Sequence, residues 1–160
     1  MIINNNNLFI PNYYVYTDGA CINNGKSNAI AGIGIYFGPY DSRNISEKII
    51  GKQSNNTAEL SAIIKTYSII EKDIINNKKI AIVTDSIYCI RCLTTYGEKC
   101  NNDQWIKDIP NKELVKKAYL LYKNKINVKF IYIKAHTNSS DIHSIGNSNA
   151  DYLAKKAIKK

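Results

Sequence analysis

Two acidic residues stand where solubility does not call for them. Asp18 follows Tyr13-Tyr14-Val15-Tyr16-Thr17, and Asp85 follows Ile80-Ala81-Ile82-Val83-Thr84. Each comes one residue after a threonine, just past an apolar run that reads as a strand. Either one alone serves equally well as a turn or helix cap. If the two strands are neighbours in one sheet, however, the carboxylates face each other at one sheet edge. Two such anions repel, and a divalent cation is the usual compensation. Glu59 falls in the first turn of a predicted helix, and Asp151 falls near the start of the last one. Each alone is an ordinary partner for a helix dipole. In an open α/β sheet, strand ends and helix starts gather at one edge, so the four acids are expected to converge. An all-oxygen ligand set without Cys or His suits hard Mg²⁺ or Mn²⁺. Two such ions, about 3.5–4 Å apart, can activate water and stabilise a leaving oxygen in phosphoryl transfer.

The elements that must position these acids follow from hydrophobic periodicity. The first strand stops at Asp18-Gly19. Ala31–Phe37 is a second strand, whose glycines suggest close backbone approach, and Ser46–Gln53 a third. The period then changes: Ala58, Leu60, Ile63, Ile64, Tyr67, Ile70, Ile74 and Ile75 recur at helical spacing, with Asn55, Asn56 and Thr57 as candidate caps. Ile80–Thr84 is apolar throughout, the mark of a strand buried on both faces. Ser86 can cap a short helix over Ile87–Leu93. Residues 94–109 read as irregular and hold the lone tryptophan, Trp105. A helix from Pro110 to Lys125, a strand over Val128–Ile133, a loop over Thr137–Asp141 and a terminal helix from Ala150, begun near Asn147, complete the chain. The order gives an α/β fold with a mixed sheet covered by helices. Residues 1–12 read as a flexible Asn-rich lead and 13–160 as one domain.

Composition narrows the function classes. The chain has 160 residues, enough for one domain with a real core. No apolar run approaches the length of a membrane span, and the N-terminus lacks the basic flank and apolar core of a signal peptide. The formal charge is +9 with pI near 9.3, which favours a polyanionic partner. Ile, Asn and Lys make up 69 of the 160 residues, and their codons are A/T-rich, so part of the lysine excess is coding bias. Together with a hard-metal site, the charge points to phosphodiester cleavage. Cys21, Cys89, Cys92 and Cys100 offer no second zinc-like pair. Free thiols are expected, and with them an intracellular, reducing compartment such as cytoplasm or nucleus.

The segments Tyr-Thr-Asp18-Gly-Ala, Asn-Asn-Thr-Ala-Glu59-Leu, Val-Thr-Asp85-Ser, Lys-Ala-His136 and Gly-Asn-Ser-Asn-Ala-Asp151 resemble, in order, the successive motifs of type 1 ribonuclease H. The resemblance spans about Tyr13 to Lys159. It implies a five-stranded mixed sheet, the first three strands antiparallel and the fourth and fifth parallel to the first, flanked by helices. It also implies hydrolysis of the RNA strand of RNA–DNA hybrids with two Mg²⁺ ions (Mn²⁺ can substitute), leaving 5′-phosphate and 3′-hydroxyl ends. Asp18, Glu59, Asp85 and Asp151 then become the metal ligands. His136 becomes a loop histidine assisting proton transfer or product release, whereas His143 is expected to be a mere surface residue. Asn24, Asn55 and Asn56 match positions that touch ribose 2′-hydroxyls and bases. Lys52, Ser54 and Asn111 match positions that grip a DNA-strand phosphate.

The chain departs from many relatives between residues 94 and 109. Tyr96 stands where one aromatic of a basic, Trp-rich protrusion would lie, Cys100 where another is expected, and Trp105 comes later. Lys107 to Lys134 carries eight lysines against Asp108 and Glu113. The expected partner is a hybrid duplex, with no membrane and no obligate protein partner, and the expected state is a monomer. Three rivals stand beside this reading: another nuclease or strand-transfer enzyme on this fold, which would lack the Asn cluster together with the His loop; a silent hybrid-binding module, which would lack at least one of the four acids; and a domain cut from a reverse transcriptase.

Overall fold

The computed structural model describes residues 9–135 and 140–159. Three strands, β1 (Tyr13–Ile22), β2 (Ile30–Tyr36) and β3 (Ile45–Lys48), form an antiparallel meander. Helix α1 (Asn55–Ile75) crosses over to β4 (Ile80–Thr84), which lies parallel to β1. Helices α2 (Ile87–Leu93), α3 (Thr95–Asn102) and α4 (Lys112–Tyr122) lead to β5 (Val128–Tyr132), parallel to β4, and α5 (Ile142–Ile158) closes the chain. The sheet order is β3-β2-β1-β4-β5, the five-stranded mixed sheet expected from the sequence.

The pleat sorts side chains onto two faces. Val15, Ile33, Ile35 and Ile82 join Leu60, Ile63 and Ile70 of α1, Ile90 of α2 and Val115 of α4 in the main core. On the opposite face Tyr16 and Val83 meet Ala150 of α5 in a smaller cluster. That face is thin because β2 presents glycine to the helix. A Cβ at Gly34 would lie 2.0 Å from the Ala150 carbonyl oxygen and 2.6 Å from the Ala154 nitrogen. The close approach suggested by the glycines of β2 is therefore a contact with α5. Gly34→Ala is expected to destabilise the protein by about 3 kcal/mol, the upper end for overpacking. The check is a lower denaturant midpoint at unchanged slope; a loss under about 0.5 kcal/mol, the scale of a neutral surface change, would contradict this packing.

Several boundaries differ from the sequence expectation. β1 does not stop at Asp18-Gly19 but continues to Ile22, because its pairing with β2 runs on to Ile22 and Ile30 while its pairing with β4 ends at Thr17 and Thr84. The third strand is shorter than Ser46–Gln53 and ends at Lys48. Residues 95–102 are helical rather than irregular. α5 starts at Ile142, capped by Asp141, well before Asn147. Residues 9–12 are tied to the domain, since the Asn12 N–H donates to the Lys79 carbonyl and the Lys79 N–H to Asn12 Oδ1, both at 2.7 Å. The rest of the N-terminal lead lies outside the described residues.

Candidate metal centre and its surroundings

Asp18 lies where β1 has lost its parallel neighbour but keeps its antiparallel one, so its carboxylate sits beside the end of β4. Asp85 occupies the turn between Thr84, the last residue of β4, and Ser86, the cap of α2. That turn is held by the Ser86 N–H donating to Thr84 Oγ1 (3.0 Å) and the Cys89 N–H donating to Ser86 Oγ (3.2 Å). Glu59 reaches the same place because α1 lies directly on β1: a Cβ at Gly19 would sit 2.6 Å from the Glu59 nitrogen. One carboxylate oxygen from each of Asp18, Glu59 and Asp85 lies within 4.8 Å of the others.

The electrostatics of this cluster are those of a cation site. Asp18 is 5% and Glu59 9% exposed. Burial first, then the charges of Asp85 and Asp151, push the Asp18 carboxyl up to about 7, against the pull of a hydrogen bond shared with Glu59 and of the Gly19 N–H. Glu59 is pushed well above the usual carboxylate range by burial and by Asp18. Its Oε2 is buried without a hydrogen-bond partner among the described residues. A buried carboxylate oxygen with no partner is costly; a hard divalent cation with oxygen ligands satisfies that oxygen and the clustered charge together. The donor set therefore fits the metal expected from the sequence.

Asp151 flanks the trio. It lies on α5, adds to the field on Asp18, and its Oδ2 accepts from Lys155 Nζ at 2.7 Å. Three of the four expected ligands thus converge tightly, and the fourth stands beside them on an ion pair. Asn147, one turn before Asp151, donates through Nδ2 to Asp85 Oδ2 at 3.1 Å, while its own Oδ1 is buried without a partner among the described residues. In the sequence Asn147 figures as a helix start and as part of the segment ending in Asp151, with no role of its own assigned. The available signal was its spacing of four from Asp151, which puts both on one helix face.

The expected substrate residues fall into two groups. Asn24 Oδ1 accepts the Asn55 N–H at 3.1 Å, tying the loop after β1 to the first turn of α1. Asn55 and Asn56 are exposed there, near Glu59. Ser54 proves to be the N-cap of α1, in place of the expected Asn55, Asn56 or Thr57: its Oγ accepts the Thr57 N–H while Thr57 Oγ1 accepts the Ser54 N–H. Thr57 Oγ1 also donates to the Lys52 carbonyl at 2.6 Å, and the Lys52 side chain is exposed. Asn111 precedes α4 with a left-handed backbone and donates through Nδ2 to Tyr88 Oη at 3.3 Å. No hydrogen bond links Lys52, Ser54 and Asn111 side chains among the described residues.

His136 lies outside the described residues. His143 is described, and it is not the mere surface residue expected: it is half-buried, with Nδ1 3.1 Å from Tyr16 Oη and its ring edge-on to Tyr14. Trp105 is a core residue. It is 7% exposed, donates through Nε1 to Asn101 Oδ1, and packs near Tyr119. The four cysteines are free, with Cys89 and Cys92 buried; burial pushes the Cys89 thiol well up and the Cys92 thiol to about 11. No helix of the described residues is long and apolar enough to cross a membrane.

Comparison with known proteins agrees with the geometry. The chain is 36% identical over 143 residues to a probable ribonuclease H of Acanthamoeba polyphaga mimivirus, covering 86% of this chain and 62% of that protein. It is 36% identical over 147 residues to a ribonuclease H of Schizosaccharomyces pombe, covering 89% of this chain and 51% of that protein. The chain thus spans about half to three-fifths of these relatives. In structure it is similar to the PFV RNase H domain, with a TM-score of 0.68 at 20% identity, covering 91% of this chain and 93% of that one. The family model for RNase H matches residues 11–159, and with acids, sheet order and sequence in agreement the chain belongs to the RNase H family.

Proposed function

We propose that this chain is an endoribonuclease that hydrolyses the RNA strand of RNA–DNA hybrids with two Mg²⁺ ions, leaving 5′-phosphate and 3′-hydroxyl ends. The observation that carries the reading is the trio Asp18, Glu59 and Asp85 within 4.8 Å, with a buried Glu59 oxygen left unpartnered, in a member of this family. Asp151 completes the ligand set, and Mn²⁺ can replace Mg²⁺. When bound, such ions activate a water and stabilise the leaving oxygen. Asn147 holds Asp85 in orientation through its amide. Asn24, Asn55 and Asn56 meet the RNA strand, since an amide both donates to and accepts from a 2′-hydroxyl. His136 moves a proton or helps product leave. Lys52, Ser54 and Asn111 hold a DNA-strand phosphate once Ser54 and Asn111 exchange their present partners. Residues 13–160 form the catalytic domain, acting as a monomer in a reducing intracellular compartment.

The direct test is incubation with a labelled hybrid, with and without Mg²⁺, beside single-stranded RNA and duplex DNA. Metal-dependent cutting of RNA in the hybrid alone is expected. Cutting that persists in chelator, or that ignores the DNA partner strand, would sink the reading.

The pKa of Asp18 gives a second, activity-independent test. Its carboxyl holds a proton up to about 7 in the native protein, against about 4 in an unfolded chain. Between those values the native state binds more protons than the unfolded one. Metal-free stability from this group is therefore full below about pH 4 and declines as pH rises towards 7. In chelator, the melting temperature of the wild type relative to Asp18→Asn is expected to fall from pH 5 to pH 8. Mg²⁺ at a hundredfold excess over Kd adds about 2.7 kcal/mol, and at one fixed Mg²⁺ concentration the gain is larger at pH 8, where no proton competes. A metal-induced shift of equal size in Asp18→Asn would place the ion elsewhere.

A further inference from the structure

The first turn of α5 carries little apolar anchorage. Ile142 is 64% and Ile145 50% exposed, and the N-cap Asp141 also faces solvent. What ties this turn to the sheet is His143. Its Nδ1 shares a hydrogen bond with Tyr16 Oη at 3.1 Å, its ring meets Tyr14 edge-on at 4.8 Å between centroids, and the Tyr16 ring lies 6.0 Å away. Tyr16 is 4% exposed, and a Cβ on Gly146 would meet its ring atoms at 2.4 Å, so the helix backbone rests on the phenol ring itself. Asp141 completes the turn by accepting the His143 and Ser144 N–H groups.

The same helix face carries the chemistry. His143, Asn147 and Asp151 are spaced by four, so they stack one turn above another. His143 holds Tyr16, Asn147 donates to Asp85, and Asp151 stands beside Asp18. Tyr16 is two residues before Asp18, on the same face of the same strand. One phenol thus connects the strand bearing Asp18 to the helix bearing both Asp151 and the residue that holds Asp85.

We propose that His143 is a positioning residue of the acidic centre: through Tyr16 it latches the first turns of α5 onto β1, and so fixes the contact of Asn147 with Asp85 and the place of Asp151. The inference rests on the proposed function for its kinetic consequences but not for its structural ones. His143 touches no reacting atom in this arrangement. It acts through a rigid helix, as groups behind metal ligands do elsewhere, where their loss typically costs about 10–100-fold in affinity or rate.

The test compares Tyr16→Phe, His143→Ala, the double variant and His143→Asn, with Ile142→Ala as a surface control. Tyr16→Phe keeps the ring beneath Gly146 and removes only the hydroxyl, so folding is preserved. With labelled hybrid and saturating Mg²⁺, each single variant is expected to lose about tenfold in kcat at unchanged KM. The double variant is expected to be no worse than the poorer single, because both delete one contact. His143→Asn, whose amide can still meet the phenol, recovers most of kcat. Multiplying losses in the double variant, or kcat unchanged in both singles, would overturn the latch. Mg²⁺ titration by calorimetry separates this from failure of the proposed function. Should the wild type bind Mg²⁺ but cut no hybrid, Tyr16→Phe is still expected to bind Mg²⁺ several-fold more weakly, and equal affinity would refute the positioning role.

Discussion

Asp85→Asn is expected to abolish cleavage of RNA in a hybrid while leaving hybrid binding largely intact. The Asp85 carboxylate is one of three that converge, and the only one of the three less than fully buried. Of the three it is therefore the carboxylate best placed to face both an ion and a phosphate. An amide of the same shape keeps the packing but removes the charge. It also sets one amide against another, since Asn147 already donates its Nδ2 to Asp85 Oδ2. Metal-based charge stabilisation is worth several kcal/mol, so at about 1.4 kcal/mol per tenfold the loss in turnover is about 10³-fold or more. Binding is spared because removing a negative charge also relieves repulsion from the substrate phosphate. Single-turnover cleavage measured beside fluorescence anisotropy on the same hybrid checks both halves. Wild-type turnover in Asp85→Asn would remove it from the site.

Substrate choice should respond almost as strongly to the Asn residues at the mouth of α1. Lysines cannot tell RNA from DNA, because both strands carry phosphates. A site built to hydrogen-bond a hydroxyl rejects the strand lacking it by about 10⁴-fold, since its polar groups are then left unpaired. Asn24 is already half engaged: its Oδ1 holds the Asn55 N–H, which leaves Nδ2 to donate to a 2′-hydroxyl oxygen. Asn24→Ala therefore loses a donor and also releases the loop from α1. Its activity on hybrid is expected to fall by about 10–100-fold, the value of one to two good hydrogen bonds. Asn56→Ala falls in the same direction, and the salt dependence of binding stays that of the wild type. On the proposed reading, in which several adjacent hydroxyls are read, duplex DNA is expected to stay uncut and a single ribonucleotide within DNA to be a poor substrate. Efficient cutting at a lone ribonucleotide, or two silent alanine variants, would overturn this recognition scheme while leaving the metal centre standing.

The acids were legible in the sequence because each sits at a break in a strong pattern. Asp85 ends an all-apolar strand, and Glu59 opens a strongly periodic helix. Asp18 was found for a partly mistaken reason. Gly19 looked like the end of a strand, whereas β1 runs on to Ile22 and the glycine is there for the backbone of α1. The start of α5 was hidden because Ser144, Gly146, Asn147 and Ser148 are weak helix formers, and only tertiary contacts make them helical. Local pattern offers nothing for His143, and for Asn147 only a helix face shared with Asp151. Their partners, Tyr16 and Asp85, lie 127 and 62 residues away, and nothing short-range reports such pairs. Ser54 was misjudged for the opposite reason, since three polar residues beside it are equally good caps on paper.

Asp18 is flanked by two places where helix backbone rests on strand backbone, Gly19 under α1 and Gly34 under α5. Such contacts are set by main-chain atoms, whose dimensions do not vary with side-chain identity. The separation of the acids is thus insulated from the isoleucine-rich core that supplies much of the stability. Conservative repacking, such as Ile63→Val or Ile70→Leu, would tune how readily the protein melts and leave the spacing of its carboxylates unchanged. A lineage drifting in base composition can exchange its aliphatic residues freely under this arrangement. It has almost no freedom at the two glycines, where a single methyl group would move a whole helix and the acid it carries.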